Sequence, residues 1–390
     1  MSEPRLALVG PSWPFRGGIA RTTTELAAEL ERRGTLAAFL TPRRQYPGWL
    51  YPGGGDRDPA ACPRLGVAQP CFAVLEPWTW AGAGRRLRAA APAALVLPYW
   101  TWAWAPLHVY LVRRSRCPVV AVVHNPADHD ASPWHRRVAR AVLRRCGGFL
   151  CHAGEVAKVV GSAFPDRPLA VHPLPPILGS AGDRQAARRQ LGVPEGAVAV
   201  LCFGLIRPYK GIDVLLEAVA RLPAEAPLLV LLAGEPWGGA RAELERRLAE
   251  PALAGRVRAH LRWVPEEEVG WWAAAADAAV LPYRRATGSA VAALMLGYGL
   301  PLVATAVGGL AEVVEDEVNG LLVPSADPTA LAAALQRLLA PELRGRLAAG
   351  ARASATRWSW GAYARTLEEL VAEILTRWEG RGEATTPPAR

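Results

Sequence analysis

Short apolar runs that end in a glycine and give way to a segment of helical period recur from one end of this chain to the other. Each such run reads as a strand buried on both faces, and each helix must cross back over the sheet. The pattern therefore predicts parallel α/β sheets. The clearest unit is Leu201 to Val219, LCFGLIRPYKGIDVLLEAV. Val198 to Phe203 is apolar and stops at Gly204, and Ile212, Leu215, Leu216 and Val219 then share one helical face. Between them Arg207, Pro208, Tyr209, Lys210 and Gly211 form a loop, and Asp213 sits in the first helical turn, where the dipole favours an anion. Two cations three residues apart thus stand at the carboxyl end of a strand and beside a helix N-terminus, where open α/β sheets take ligands. The arrangement suits a diphosphate. The competing reading is an ordinary strand-to-helix turn with two surface charges. Against it, the chain has 45 Lys plus Arg, of which only Lys158 and Lys210 are lysine. A chain that writes nearly every cation as arginine keeps a compact ammonium in this loop.

At 390 residues the chain is too long for one ordinary core, and two domains are expected. The division is placed at His172-Pro173-Leu174-Pro175-Pro176, a stiff linker. The expected units are an N-terminal domain over 1–175 and a C-terminal domain over 176–357. A helix over 358–379 returns to the first domain, and 380–390 form a tail. No apolar run reaches the roughly 20 residues that a membrane span needs. MSEPRLALVG is expected to run into a strand without a leader, and the six cysteines are scattered with no CxxC pair. A reduced, cytoplasmic setting without structural zinc is expected. The formal charge is +10, unevenly placed: residues 1–175 hold 22 Lys plus Arg against 11 Asp plus Glu, and the remainder 23 against 24. Such a basic half implies an anionic partner: lipid, a phosphorylated acceptor or nucleic acid. No nucleic-acid module is recognisable in it, so nucleic acid is not expected as a partner.

Along the first half, Gly17 and Gly18 close the loop PSWPFRGG before a helix over 19–33, so that a ligand can approach the backbone amides. A plain turn is the alternative. Residues 42–70 read as an irregular excursion rich in Pro, Gly and Arg. Trp78, Trp80, Tyr99, Trp100, Trp102 and Trp104, interleaved with arginines, suit either a core or a membrane interface. WHRRVARAVLRR, over 134–145, reads as a basic helix lying on a membrane or facing solvent. The strand 118–123 delivers His124 and Asn125 at its carboxyl end, with a structural histidine as the alternative. Asp128-His129-Asp130 has the form of a metal motif without supporting ligands, and no metal site is expected there. In the second half Gly234-Glu235, Trp263 and the Thr287-Gly288-Ser289 cap each follow an apolar run.

The patterns FGLIRPYKGIDVLLEAV, AGEP, DAAVLPY and GLPLVATAVGGLAEVVEDEVNGLLVPSADPTALAAALQRLL resemble glycosyltransferase family 4. The resemblance is strong over 197–340, weaker over 1–34 and 118–176, and poor over 42–110. It implies a GT-B fold: two Rossmann-like parallel-sheet domains facing across a cleft, with a C-terminal helix crossing back. It also implies retaining transfer of a hexose-type sugar from a nucleotide-diphosphate sugar, with no metal or other cofactor. The acceptor would be a hydroxyl, as in a lipid-linked glycan or a cell-surface polysaccharide precursor, with the basic first domain at the inner face of an anionic membrane. By position, Arg207 and Lys210 would clamp the diphosphate and His124 would contact the transferred sugar. Gly17, Gly18, Gly204, Gly234, Thr287, Gly288 and Ser289 would approach the donor, and Trp263 would lie beside the nucleobase, though Arg262 replaces the usual glycine before it. One departure matters: the two glutamates the family carries eight residues apart are Ala286 and Leu294 here. Their loss keeps a second function open, a non-catalytic sugar-nucleotide-binding partner of an active transferase.

Overall fold

The computed structural model describes residues 4–46, 55–58, 65–125, 133–179 and 181–383. Asp128-His129-Asp130 and most of the 47–64 stretch lie outside the described residues. Two sheets carry the chain. The first contains β1 (Leu6–Val9), β2 (Leu36–Arg44), β3 (Ala68–Ala73), β4 (Ala94–Tyr99), β5 (Val119–Val123), β6 (Gly148–Cys151) and β7 (Leu169–Val171), in the order β3-β2-β1-β4-β5-β6-β7. The second contains β8 (Val198–Phe203), β9 (Leu228–Ala233), β10 (Val257–His260), β11 (Ala278–Leu281), β12 (Leu302–Thr305) and β13 (Gly320–Val323), in the order β10-β9-β8-β11-β12-β13. Every pairing of neighbouring strands is parallel.

Strand alternation sends each sheet's side chains into two layers. In β1, Ala7 and Val9 join a core with Leu95, Leu97 and Trp104, while Leu6 and Leu8 face the opposite layer. That opposite layer is closed by the chain's last helix, Trp360–Glu383, whose Tyr363, Leu367, Leu370, Val371 and Ile374 pack against Leu6, Leu8, Leu26 and Leu30. Glu368 fixes its placement, accepting from Arg33 Nε at 3.0 Å and from Thr35 Oγ1 at 3.0 Å.

Two strands were not legible in the sequence. β2 runs on to Arg44 through Pro42, with register shifts at that proline, and β3 contains Pro70, so the expected irregular excursion has a strand at each end. β4 contains Pro98, which removes a ladder donor and argues against a central strand, yet it lies between β1 and β5. The tryptophans divide: Trp80 and Trp104 are buried in the first core with Tyr99, whereas Trp78, Trp102 and Trp134 are exposed.

Gly211 makes the turn from the β8 loop into the helix Ile212–Arg221. Its φ is 65°, in the left-handed region, and a Cβ there would lie 2.0 Å from the carbonyl oxygen of Pro282. Gly211→Ala should therefore lose on the order of 1–3 kcal/mol, the range for forced overpacking, read as a lowered urea midpoint at unchanged slope.

Candidate active site

Strand order fixes where a ligand can enter. The chain winds outward from β1 to β3 and returns to β4 on the other side of β1; it repeats this from β8 to β10 and back to β11. Loops leaving adjacent strands at these reversals diverge and leave a crevice at the carboxyl ends. Gly17 and Gly18 follow β1; Gly204, Arg207 and Lys210 follow β8; Thr287, Gly288 and Ser289 follow β11; His124 follows β5, next to β4. These candidates fall on or beside the two reversals, whereas Gly234 follows β9 and Trp263 follows the edge strand β10.

Lys210 is 7% exposed. Its Nζ lies 5.5 Å from the Tyr283 ring centroid, and 3.3 Å from where a Cβ on Gly204 would stand. Burial pushes its pKa down to about 8; the thiol of Cys202 opposes this and the neighbouring Arg207 adds to it. No described carboxylate pairs with it. The Arg207 guanidinium lies 4.2 Å from the Trp237 ring centroid, and its Nε is buried without a hydrogen-bond partner. Tyr283, buried so that its phenol is pushed well up, hydrogen-bonds Ser289. Ser289 Oγ accepts from Ala292 N at 3.1 Å and caps the helix Ala290–Gly297.

The glycines have separate reasons. Gly204 has φ 96°, and its carbonyl oxygen lies 2.1 Å from where a Cβ on Gly234 would stand. Gly234 is thus required by backbone contact between the ends of β8 and β9. Gly17 has φ 106° with open space around it, at the N-terminus of the helix Gly18–Arg32. A Cβ on Gly18 would lie 2.6 Å from Ala290 Cβ, so two helix N-termini meet across the cleft. Ala286 and Leu294, where the family's glutamates would stand, are both packed in the second domain's core.

His124 donates its backbone N–H to Tyr99 O at 2.9 Å, and its ring meets the His152 ring edge-on at 4.4 Å. Burial pushes its pKa down to about 3, which keeps the imidazole neutral. His152 Nε2 shares a 2.9 Å hydrogen bond with Tyr363 Oη of the last helix. The two domains also touch through Trp263 and through residues the sequence did not single out. Asp58 Oδ2 accepts from Trp263 Nε1 at 3.3 Å and from Glu266 N at 3.1 Å, and Arg21 pairs with Glu266. Glu312 accepts from Gly154 N at 2.8 Å. Trp263 carries the guanidinium of Arg16 on its face at 4.5 Å. Arg16 directly precedes the glycine pair, so its place in the loop was the signal available. Asp58 offered none, because its partners are more than 200 residues away. Among the described residues no group of three or more His, Cys, Asp or Glu is placed to hold a metal ion, and no helix is long and apolar enough to cross a membrane.

Two facing parallel sheets, a cationic loop at a strand-order reversal and a returning terminal helix define a GT-B protein. Residues 16–175 match the model described as Glycosyltransferase Family 4, and residues 197–341 the model described as Glycosyl transferases group 1. The chain belongs to glycosyltransferase family 4. A D-inositol 3-phosphate glycosyltransferase of Xylanimonas cellulosilytica is 38% identical over 204 residues, covering 52% of this chain and 49% of that protein. One from Geodermatophilus obscurus is 43% identical over 199 residues, covering 49% and 43%. The chain spans about half the length of these curated relatives. Among solved structures, Anabaena HepE in complex with UDP and glucose superposes with a TM-score of 0.70 at 18% identity, covering 96% of this chain and 100% of that one. Sucrose-phosphate synthase from Thermosynechococcus elongatus gives 0.71 at 20% identity, covering 96% and 100%. At such identities the likeness is one of fold.

The lowered pKa of Lys210 sets a stability window. Between about 8 and its ordinary 10.5 the unfolded chain keeps a proton that the folded chain has released, so stability rises with pH there. The urea-unfolding free energy of the wild type minus that of Lys210→Met should rise with pH across that range; the difference isolates Lys210 from the buried cysteine thiols, whose raised pKa values make stability fall with pH in both proteins.

Proposed function

We propose that this chain transfers a hexose-type sugar from a nucleotide-diphosphate sugar to an acceptor hydroxyl, with retention at the anomeric carbon and without a metal. The observation that carries the reading is the pair Lys210 and Arg207. Both lie at the carboxyl end of β8, neither is paired with a described carboxylate, and one is buried. In the reaction the bond between the sugar's anomeric carbon and the diphosphate oxygen breaks, and its electron pair leaves with the diphosphate. The acceptor oxygen bonds to the same carbon and loses its proton. Charge therefore grows on the diphosphate, and cations already fixed beside it stabilise the transition state more than the ground state. His124, neutral at the carboxyl end of β5 in the first domain, would hydrogen-bond the sugar. We assign no protein nucleophile.

Charge-assisted hydrogen bonds contribute roughly 1.5–3 kcal/mol each, so Lys210→Ala or Arg207→Ala should lower donor turnover by about 10- to 100-fold, and the double variant by on the order of 10²–10⁴. Near wild-type turnover in both single variants would remove the clamp. UDP-, GDP- and ADP-sugars screened by thermal shift would name the donor. The Lys210 titration adds a signature: diphosphate affinity should fall as pH rises through about 8, since the neutral amine attracts an anion less.

For the acceptor, we favour a lipid-linked glycan at an anionic membrane. Trp102 and Trp134 are exposed, their rings 5.5 Å apart, at the β4 and β5 side of the first domain. Arg113, Arg144 and Arg145 lie close enough in space that the first two push the pKa of Arg145 down after burial itself. Exposed indoles at or just before the starts of the helices Ala105–Arg114 and Pro133–Leu143, with guanidiniums clustered at their far ends, are the groups that would meet a bilayer, and such binding weakens with salt. The chain should sediment with anionic vesicles at low salt and be released at high salt; absence of binding at low salt would leave a soluble acceptor, of which the relatives' inositol 3-phosphate is the first to try.

A second reading rests on the apolar packing of Ala286 and Leu294: a non-catalytic sugar-nucleotide-binding partner of an active transferase. Donor hydrolysis or transfer by the purified chain would dispose of it.

A further inference from the structure

Arg16 stands in the first domain's loop between β1 and the helix Gly18–Arg32. The loop is fixed: Arg16 N donates to Asp56 O at 2.8 Å and Asp58 N to Pro14 O at 2.9 Å, a short antiparallel bridge. From it the Arg16 side chain crosses the cleft, where its guanidinium carbon lies over the Trp263 ring, 4.5 Å from the centroid. Its Nη1 is 3.8 Å from Glu235 Oε2, just beyond the carboxyl end of β9. That distance offsets charge but is too long for a hydrogen bond. The side chain is 7% exposed, and both Nε and Nη1 are buried with no hydrogen-bond partner.

A guanidinium taken out of water normally spends its N–H groups on acceptors, and a buried donor left without one is costly. Here the indole supplies a face and Glu235 supplies charge, but neither accepts a hydrogen bond from Nε or Nη1. Beside them the helix N-terminus and Gly17, with open space around it, favour an anion. A neutral base carbonyl would satisfy one N–H; a phosphate group offers several charged oxygens to a planar fork.

We propose that Arg16 is a donor-binding residue contributed by the first domain, its unpartnered N–H groups hydrogen-bonding the diphosphate oxygens of a nucleotide when the cleft is occupied. The role rests on the nucleotide-sugar reading above. It makes the diphosphate a bridge between domains, with Lys210 and Arg207 on one side and Arg16 on the other. Occupancy then favours the closed cleft.

The test titrates UDP, GDP and ADP, and their nucleosides, into the full chain by calorimetry. Arg16→Ala should weaken the preferred diphosphate about 10- to 100-fold and its nucleoside less than about threefold, with Arg16→Lys restoring part of the loss. Diphosphate affinity within about threefold of wild type in an Arg16→Ala protein of unchanged melting temperature overturns the proposal. Equal loss for diphosphate and nucleoside also overturns it, since a residue serving only domain closure would act on both alike. If Arg16→Ala fails to fold, Arg16→Gln keeps the length and a polar head without the charge and is read by the same criteria. Loss of diphosphate binding in Lys210→Ala but not in the Arg16 variants defeats this inference alone, whereas a wild type that binds none of the three diphosphates defeats the nucleotide reading with it.

Discussion

Positive charge held in a desolvated cleft, with Glu235 near Arg16 but no described carboxylate paired to Lys210 or Arg207, is the constraint around which this structure is arranged. Removing an ammonium or guanidinium from water costs several kcal/mol unless something replaces the lost hydration. Lys210 lies over Tyr283, Arg207 over Trp237 and Arg16 over Trp263, and ring faces supply part of that replacement. The backbone bends to make room for it. Gly204 takes a positive φ beside the Lys210 ammonium, Gly234 lacks a Cβ because Gly204 O occupies its place, and Gly211 turns at Pro282 O. What the rings cannot supply is negative charge, and the unfilled demand is what a diphosphate would meet.

The cleft is held at both edges by contacts of a different kind. On one side the carboxylate of Asp58 caps the helix Glu266–Ala275 from the opposite domain, beside the Arg21 and Glu266 pair. On the other, Glu312 caps the helix Gly154–Ala163, and Tyr363 reaches His152, whose ring abuts His124. The last helix belongs in packing terms to the first sheet, whose outer layer it completes. The chain therefore crosses between the domains twice, and the neutral His124 sits against His152, which the last helix reaches after the second crossing.

Much of the fold could be read directly from residue order. Apolar runs such as Val198–Phe203 cannot be solvated on either face, so a parallel sheet with helical crossovers follows, and the loops at strand ends follow from the sheet. The strands β3 and β4 escaped because Pro70 and Pro98 lie within them and a proline locally contradicts a ladder. The aromatic block showed the limit of composition. Trp104 is fully buried and Trp78 about three-quarters exposed, and no local rule separates them, since each was decided by which surfaces met in the fold.

By itself the sequence determined that two cations sit in a strand-to-helix loop, that glycines open the facing helix, and that the chain has the pattern of family 4, because each is a matter of neighbours along the chain. Only the tertiary structure decided that Lys210 is buried and lowered in pKa, that Ala286 and Leu294 point into a core, and that Arg16, Asp58 and Glu312 face the other domain. Those properties depend on surfaces contributed by residues up to about 250 positions away, as in Arg16 and Trp263, and distance along the chain carries no information about which surfaces will meet.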